Sequence, residues 1–218
     1  MDLLTETEIR VLGSLIEKQI TTPEYYPLTL NALTAACNQK NNRNPVMSLT
    51  ESEVEQALDS LREKNLAYVF HGSTSRVPKF KHVAPEVLQL NPAELAVMCV
   101  LMLSGPQTTG EIRTRGSRLH EFKGLEEVEE TLRGLASRDA DPLVMKLPRQ
   151  AGQKDARFMQ LLSGPAPVGE VGAGNPVHNR SSRTDAHRIQ ALEQRVTELT
   201  QQVEALQQQF EQFKRQFE

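Results

Sequence analysis

The side chains most able to do chemistry in this sequence are cations set among amides. Lys40 and Arg43 lie in Asn38-Gln39-Lys40-Asn41-Asn42-Arg43-Asn44. The ammonium, guanidinium and carboxamide groups of that run suit phosphate oxygens and base edges. Arg76, Lys79 and Lys81 follow the small-residue turn Gly72-Ser73-Thr74-Ser75, Arg113, Arg115 and Arg118 crowd one short stretch, and Arg149, Lys154 and Arg157 surround Gly152. Together they are the candidate nucleic-acid-binding set. Arg115 and Arg118 share a helical face, with Arg113 pointing away, unless Gly116 ends that helix first.

Carboxylates oppose that reading. Glu51, Glu53, Glu55, Asp59 and Glu63 outnumber Arg62 and Lys64 in one segment, and Glu126, Glu127, Glu129 and Glu130 open another. A phosphate backbone attracts Lys and Arg and repels such faces. Acids in a first turn serve the helix dipole, which accounts for Glu51, Glu53, Glu126 and Glu127 but not for Glu55, Asp59 or Glu63. The chain has 25 Lys+Arg against 28 Asp+Glu, a formal charge of −3. That excludes a histone-like polycation and differs from the basic balance of a dedicated DNA-binding domain. Aromatic residues are 5% with no Trp, which argues against a carbohydrate- or base-stacking surface.

Catalytic spacing is missing. There is no P-loop, no GxGxxG and no HExxH. Gly72–Arg76 reads as a turn, not a nucleophile elbow. His71, His82, His120, His178 and His187 show no metal spacing with Cys37 and Cys99, and His71 with His82 reads as a cross-strand surface pair. The expectation is a non-enzyme with no cofactor and no metal. Cys37 and Cys99 fall in apolar helical stretches and read as core thiols. Two cysteines make no disulfide framework, so a reducing compartment is expected. The acidic start MDLLTETEIR is unlike a signal peptide. The longest apolar run, Leu95 to Leu103, has nine residues, short of the ~20 that span a bilayer. A cytoplasmic protein without a membrane segment is the expectation.

The elements that must position these groups come in two copies. Leu4 to Leu12 aligns with Leu90 to Met98, each opening on a capping box, Thr5/Glu8 and Asn91/Glu94. A second alignment pairs Glu53-Val54-Glu55 with Glu127-Val128-Glu129. The first copy predicts helices over Thr5–Lys18, Thr29–Cys37 and Thr50–Lys64, then strands over Leu66–Phe70 and Arg76–Val83. The second predicts helices over Pro92–Ser104, Thr108–Arg115 and Leu125–Arg138, then strands over Leu143–Pro148 and Arg157–Leu162. Three helices followed by a ribbon is the order of a winged helix. The fold class is therefore mainly α with small β-hairpins (α+β): winged-helix domains at 1–90 and 91–162. Leu95–Leu103 is apolar on every face, so its helix must be covered all round. Tyr25 and Tyr26 either pack the longer first copy or line a small pocket.

Beyond the second copy, the Gly- and Pro-rich stretch 163–186 reads as a flexible linker. Residues 187–218 carry a heptad pattern in Ile189, Leu192, Val196, Leu199, Val203, Leu206 and Phe210. β-Branched residues at a with Leu at d favour a two-stranded coiled coil, so a homo-oligomer, most simply a dimer, is expected.

Three strings resemble the YceH family of uncharacterised bacterial proteins: ACNQKNNRNPVMSLTESEV (Ala36–Val54), GEIRTRGSRLHEF (Gly110–Phe122) and PLVMKLPRQAGQKDARF (Pro142–Phe158). The resemblance spans roughly Leu3 to Gly164. It implies tandem winged-helix domains and no established activity. Two readings of function follow: a DNA-binding protein or transcriptional regulator that uses wings and basic loops, or a protein-interaction scaffold whose acidic third helices dock a basic partner without binding DNA.

Overall fold

Helix starts are fixed by local chemistry. Thr5 and Glu8 exchange side-chain-to-backbone hydrogen bonds of 3.2 and 2.6 Å and open α1, Glu6–Thr21. The same capping box opens α3, Glu51–Glu63, from Thr50 and Glu53, and α5, Pro92–Ser104, from Asn91 and Glu94. A fourth, Thr108 with Glu111, opens α6, Thr109–Gly116. Thr29 caps α2, Leu30–Cys37. The remaining helices are α4, Ala84–Val87, and α7, Leu125–Ala136. A single 3₁₀ turn, Pro23–Tyr25, links α1 to the first strand. The computed structural model describes residues 2–70, 77–138, 141–149 and 155–164, within one compact unit. Arg76, Lys154, His71, most of the expected linker and the whole heptad segment lie outside the described residues.

The chain is mixed α+β, with two small antiparallel sheets among the described residues. The first has strand order β1-β3-β2, from β1 Leu28–Thr29, β2 Ala67–Phe70 and β3 Lys79–His82. Its register sets Tyr68 opposite Lys81, Phe70 opposite Lys79 and Ala67 opposite His82. The second pairs β4 Val144–Lys146 with β5 Phe158–Gln160. Each half thus runs three longer helices and then a ribbon. The two-residue β1 and the one-turn α4 are additions to the expected order.

Both halves share one core. Leu95 through Ser104 are all buried in α5, which packs on α1 of the first half and on α6, α7 and β5 of the second. The all-round cover demanded by its sequence is therefore supplied by both halves. Gly13 lets α1 approach closely: a Cβ built there would stand 2.9 Å from Leu103 Cδ2 and 3.2 Å from Met102 Cβ. The ends of the unit are clasped by Leu4 N–H donating to Leu162 O at 2.7 Å. Gly164 is buried against Leu3 at a φ of 86°, which suits glycine. Ser163 and Gly164, the first residues of the Gly- and Pro-rich stretch, therefore belong to the body.

Two expectations about titratable residues divide here. Cys37 and Cys99 are buried free thiols, as expected. His82 is a correction: it is 2% exposed, on the same side of β3 as Phe80, so it is no surface histidine. Its Nδ1 accepts from Ala84 N–H at 3.3 Å, and its backbone N–H donates to the Tyr26 hydroxyl at 2.8 Å. Tyr26 packs edge-on to the His82 ring, whereas Tyr25 is 71% exposed. A cavity of about 720 Å³ opens beside Leu3, Val87, Leu143 and Leu162, and neither tyrosine lines it.

Candidate nucleic-acid interface

A three-stranded sheet this small has one face on the core and one in solvent. Alternation sends Phe80 and His82 inward and Lys79 and Lys81 outward. Tyr68 and Phe70 stand directly across from the lysines and so share the outer face. They are 36% and 40% exposed. Lys81 Nζ lies 5.4 Å from the Tyr68 ring centroid, within cation–π range. Thr29 pairs with Lys79 and extends the face by one residue. No strand residue of this sheet is acidic. The result is a patch of two rings and two ammonium groups, and neither lysine has an ion-pair partner among the described residues.

The 5% aromatic share pointed away from a stacking surface, yet two of those few rings lie side by side on an exposed face. Lys79 and Lys81 belonged to the candidate set from the start. Tyr68 and Phe70 did not, although their i, i+2 spacing marks them as same-face neighbours on a strand.

The rest of the set disperses. Lys40 is exposed beside Asn41 and Asn42, in a loop pinned by Asn38, whose amide exchanges bonds of 2.7 and 2.8 Å with the Leu49 backbone. Arg113 and Arg115 are exposed near the end of α6, and Arg149 is exposed after β4. Arg157 is committed to Glu111, through bonds of 2.9 and 3.2 Å, and to Pro106 O at 2.9 Å.

Arg43 is a correction. It is 5% exposed and cannot reach a ligand from the surface. Its Nη1 and Nη2 donate to Glu17 Oε1 and Oε2 at 3.1 and 2.6 Å, and Nη2 also donates to Ala36 O at 2.9 Å. Glu17 has a fully buried carboxylate that also receives Arg118 from the turn after α6. Arg10 lies close by, donating to Cys37 O and Pro45 O at 3.1 and 2.6 Å. Burial pushes the Glu17 carboxyl up, but hydrogen bonding and charge from Arg43, then Arg118 and Lys18, outweigh it and hold the group below its ordinary range. The amide-rich loop is thus an anchor between α1, α2 and the second half, with its arginine turned inward. Glu17 and Arg10 gave no sequence signal, because their partners are far away along the chain.

The third helices present carboxylates to solvent. Glu51, Glu53, Glu55, Asp59 and Glu63 are exposed on α3, where Arg62 pairs with Asp59 at 2.8 Å. Glu126, Glu129 and Glu130 are exposed on α7. Neither helix has the charge to enter a groove lined by phosphates.

A family model described as "Protein of unknown function, DUF480" matches residues 4–153. A UPF0502 protein of Citrifermentans bemidjiense is 53% identical over 194 residues, covering 89% of this chain and 88% of that relative. A UPF0502 protein of Geotalea daltonii is 59% identical over 161 residues, 74% and 73% of the two chains. One from Shewanella piezotolerans is 48% identical over 199 residues, 89% of each.

Proposed function

The chain belongs to the DUF480 family of bacterial proteins, in keeping with the YceH-like strings, and on that footing we propose that it is a non-enzymatic, tandem winged-helix protein that binds nucleic acid. The observation that carries the reading is the outer face of the first sheet, where Lys79 and Lys81 stand beside Tyr68 and Phe70 with no acidic strand residue among them. The order of three helices and a ribbon in each half supports the winged-helix assignment. Contact is made by the ribbon, because the exposed carboxylates of α3 and α7 repel the phosphates that a third helix would have to pass. Self-association through the heptad segment would place two such faces in one particle and raise the effective concentration of the second.

A salt titration tests this. The logarithm of affinity should fall linearly with the logarithm of salt concentration, and the double variant Lys79→Ala/Lys81→Ala should flatten that slope by about 1.4 to 1.8, the release expected for two phosphate contacts. Absence of binding at low salt refutes the reading. The scaffold reading is favoured by a different observation, the exposed carboxylates Glu55 and Glu63 on α3, which have no ion-pair partner among the described residues. It predicts binding of a basic polypeptide that is lost on Glu55→Lys/Glu63→Lys and untouched by the lysine variants.

A further inference from the structure

Resting on the nucleic-acid reading, we infer that the ligand of the first sheet is single-stranded, with Tyr68 and Phe70 each stacked on an unpaired base and Lys79 and Lys81 holding the flanking phosphates. Along β2 the two residues are i and i+2, on one face and about 6.7 Å apart along the backbone. Each has a lysine directly opposite. Single exposed aromatics are ordinary on a protein surface, but two aligned rings, each opposed by a cation, repeat one unit along the strand. That unit is an ammonium for a phosphate and a π-face for a base.

A duplex cannot use it fully. Base pairs in a double helix already cover one another's faces, so an aromatic platform can be capped only by bases that have left the stack. A duplex would meet the lysines and leave both rings in water. The segments best shaped for a duplex groove, α3 and α7, are the acidic ones. The second sheet has part of the same unit: Lys146 is opposite Phe158, with Nζ 5.8 Å from its ring centroid. The next pair on that face is Val144 with Gln160, with neither a ring nor a cation, and Phe158 packs against the core. Of the two sheets among the described residues, only the first offers rings at consecutive same-face positions.

The test uses the full chain and fluorescence anisotropy with a short labelled oligothymidylate, in parallel with the same sequence as a duplex. The single strand should bind more tightly than the duplex. Tyr68→Leu and Phe70→Leu keep apolar bulk and remove the π-face. Each should weaken single-strand binding about tenfold, and the pair about a hundredfold, without changing the salt slope or duplex affinity. A readout without substitution is also available. The chain has three Tyr and no Trp, so its intrinsic emission is tyrosine emission, and the single strand should quench the Tyr68 share while the duplex does not. Equal or tighter duplex binding, unquenched emission at saturation, or folded leucine variants that bind the strand as the parent does would overturn the inference and leave the nucleic-acid reading standing. Failure of both nucleic acids to bind at low salt removes the parent reading, and a basic polypeptide bound in their place favours the scaffold.

Discussion

Removing the Glu17 charge should be among the most damaging conservative changes in this protein. Glu17→Gln keeps the shape of the side chain but leaves Arg43, whose own side chain is 0% exposed, without its carboxylate. One amide oxygen still accepts, while the new NH₂ group faces a guanidinium donor. Breaking a buried pair by removing one partner costs about 3–5 kcal/mol, because an uncompensated charge stays buried. The Arg118 arm adds less than about 1 kcal/mol, since its side chain is 39% exposed and screened. At 2–4 °C per kcal/mol for a body of this size, the melting temperature should fall by about 10 °C. Thermal unfolding of the full chain followed by circular dichroism measures this. The double variant Glu17→Leu/Arg43→Met removes both charges and should recover much of the loss, so the two sites should be strongly non-additive. A Glu17→Gln protein melting within about 2 °C of the parent, or additive single and double variants, would show that the buried network contributes little and refute the reasoning.

Acid should destabilise the protein in two steps. His82 is held down to about 4 by burial and then by the Lys81 charge. The unfolded chain therefore binds a proton that the folded one refuses, and stability should fall by up to about 3 kcal/mol between pH 6.5 and 4. For Glu8, burial raises the carboxyl but Lys64, Ser60 and Thr5 outweigh it and bring it to about 2. Its contribution is whole above pH 4.5 and is lost as pH falls toward 2. Urea midpoints measured across pH should show the first step vanish in His82→Phe and the second in Glu8→Gln; unchanged profiles would contradict the assignments. Gly13→Val should cost about 3 kcal/mol, because the new side chain would press on Leu103 and on Met102 Cβ, both buried in α5. An unchanged denaturant midpoint would mean that α1 and α5 can separate at little cost.

What was legible in the sequence was local. Capping boxes at Thr5, Thr50 and Asn91 operate over three residues, so they could be read directly, and the Thr108 box obeys the same rule. The all-apolar α5 announced its burial by composition alone. The inward turn of Arg43 was hidden for the opposite reason. Its partner Glu17 is 26 positions away, and a cation in an amide-rich loop looks the same in sequence whether it faces water or a buried carboxylate. The inward place of His82 was legible, since alternation from Phe80 puts it on the inner face. β1 has two residues, too few to show any period. The pairing of Tyr68 with Lys81 needed the register of the hairpin, which the strands' own sequences do not state.

Because α5 draws its covering from both halves, neither half is a spare part. A fragment ending near Leu90 would bare the α1 surface that meets α5, and a fragment starting there would carry an oily rod with one flank uncovered. Each large side chain so stranded forfeits about 1.5–3 kcal/mol of burial. Shuffling or loss of a single half is thereby closed off, and the two ribbons stay at one fixed separation, like marks on a ruler.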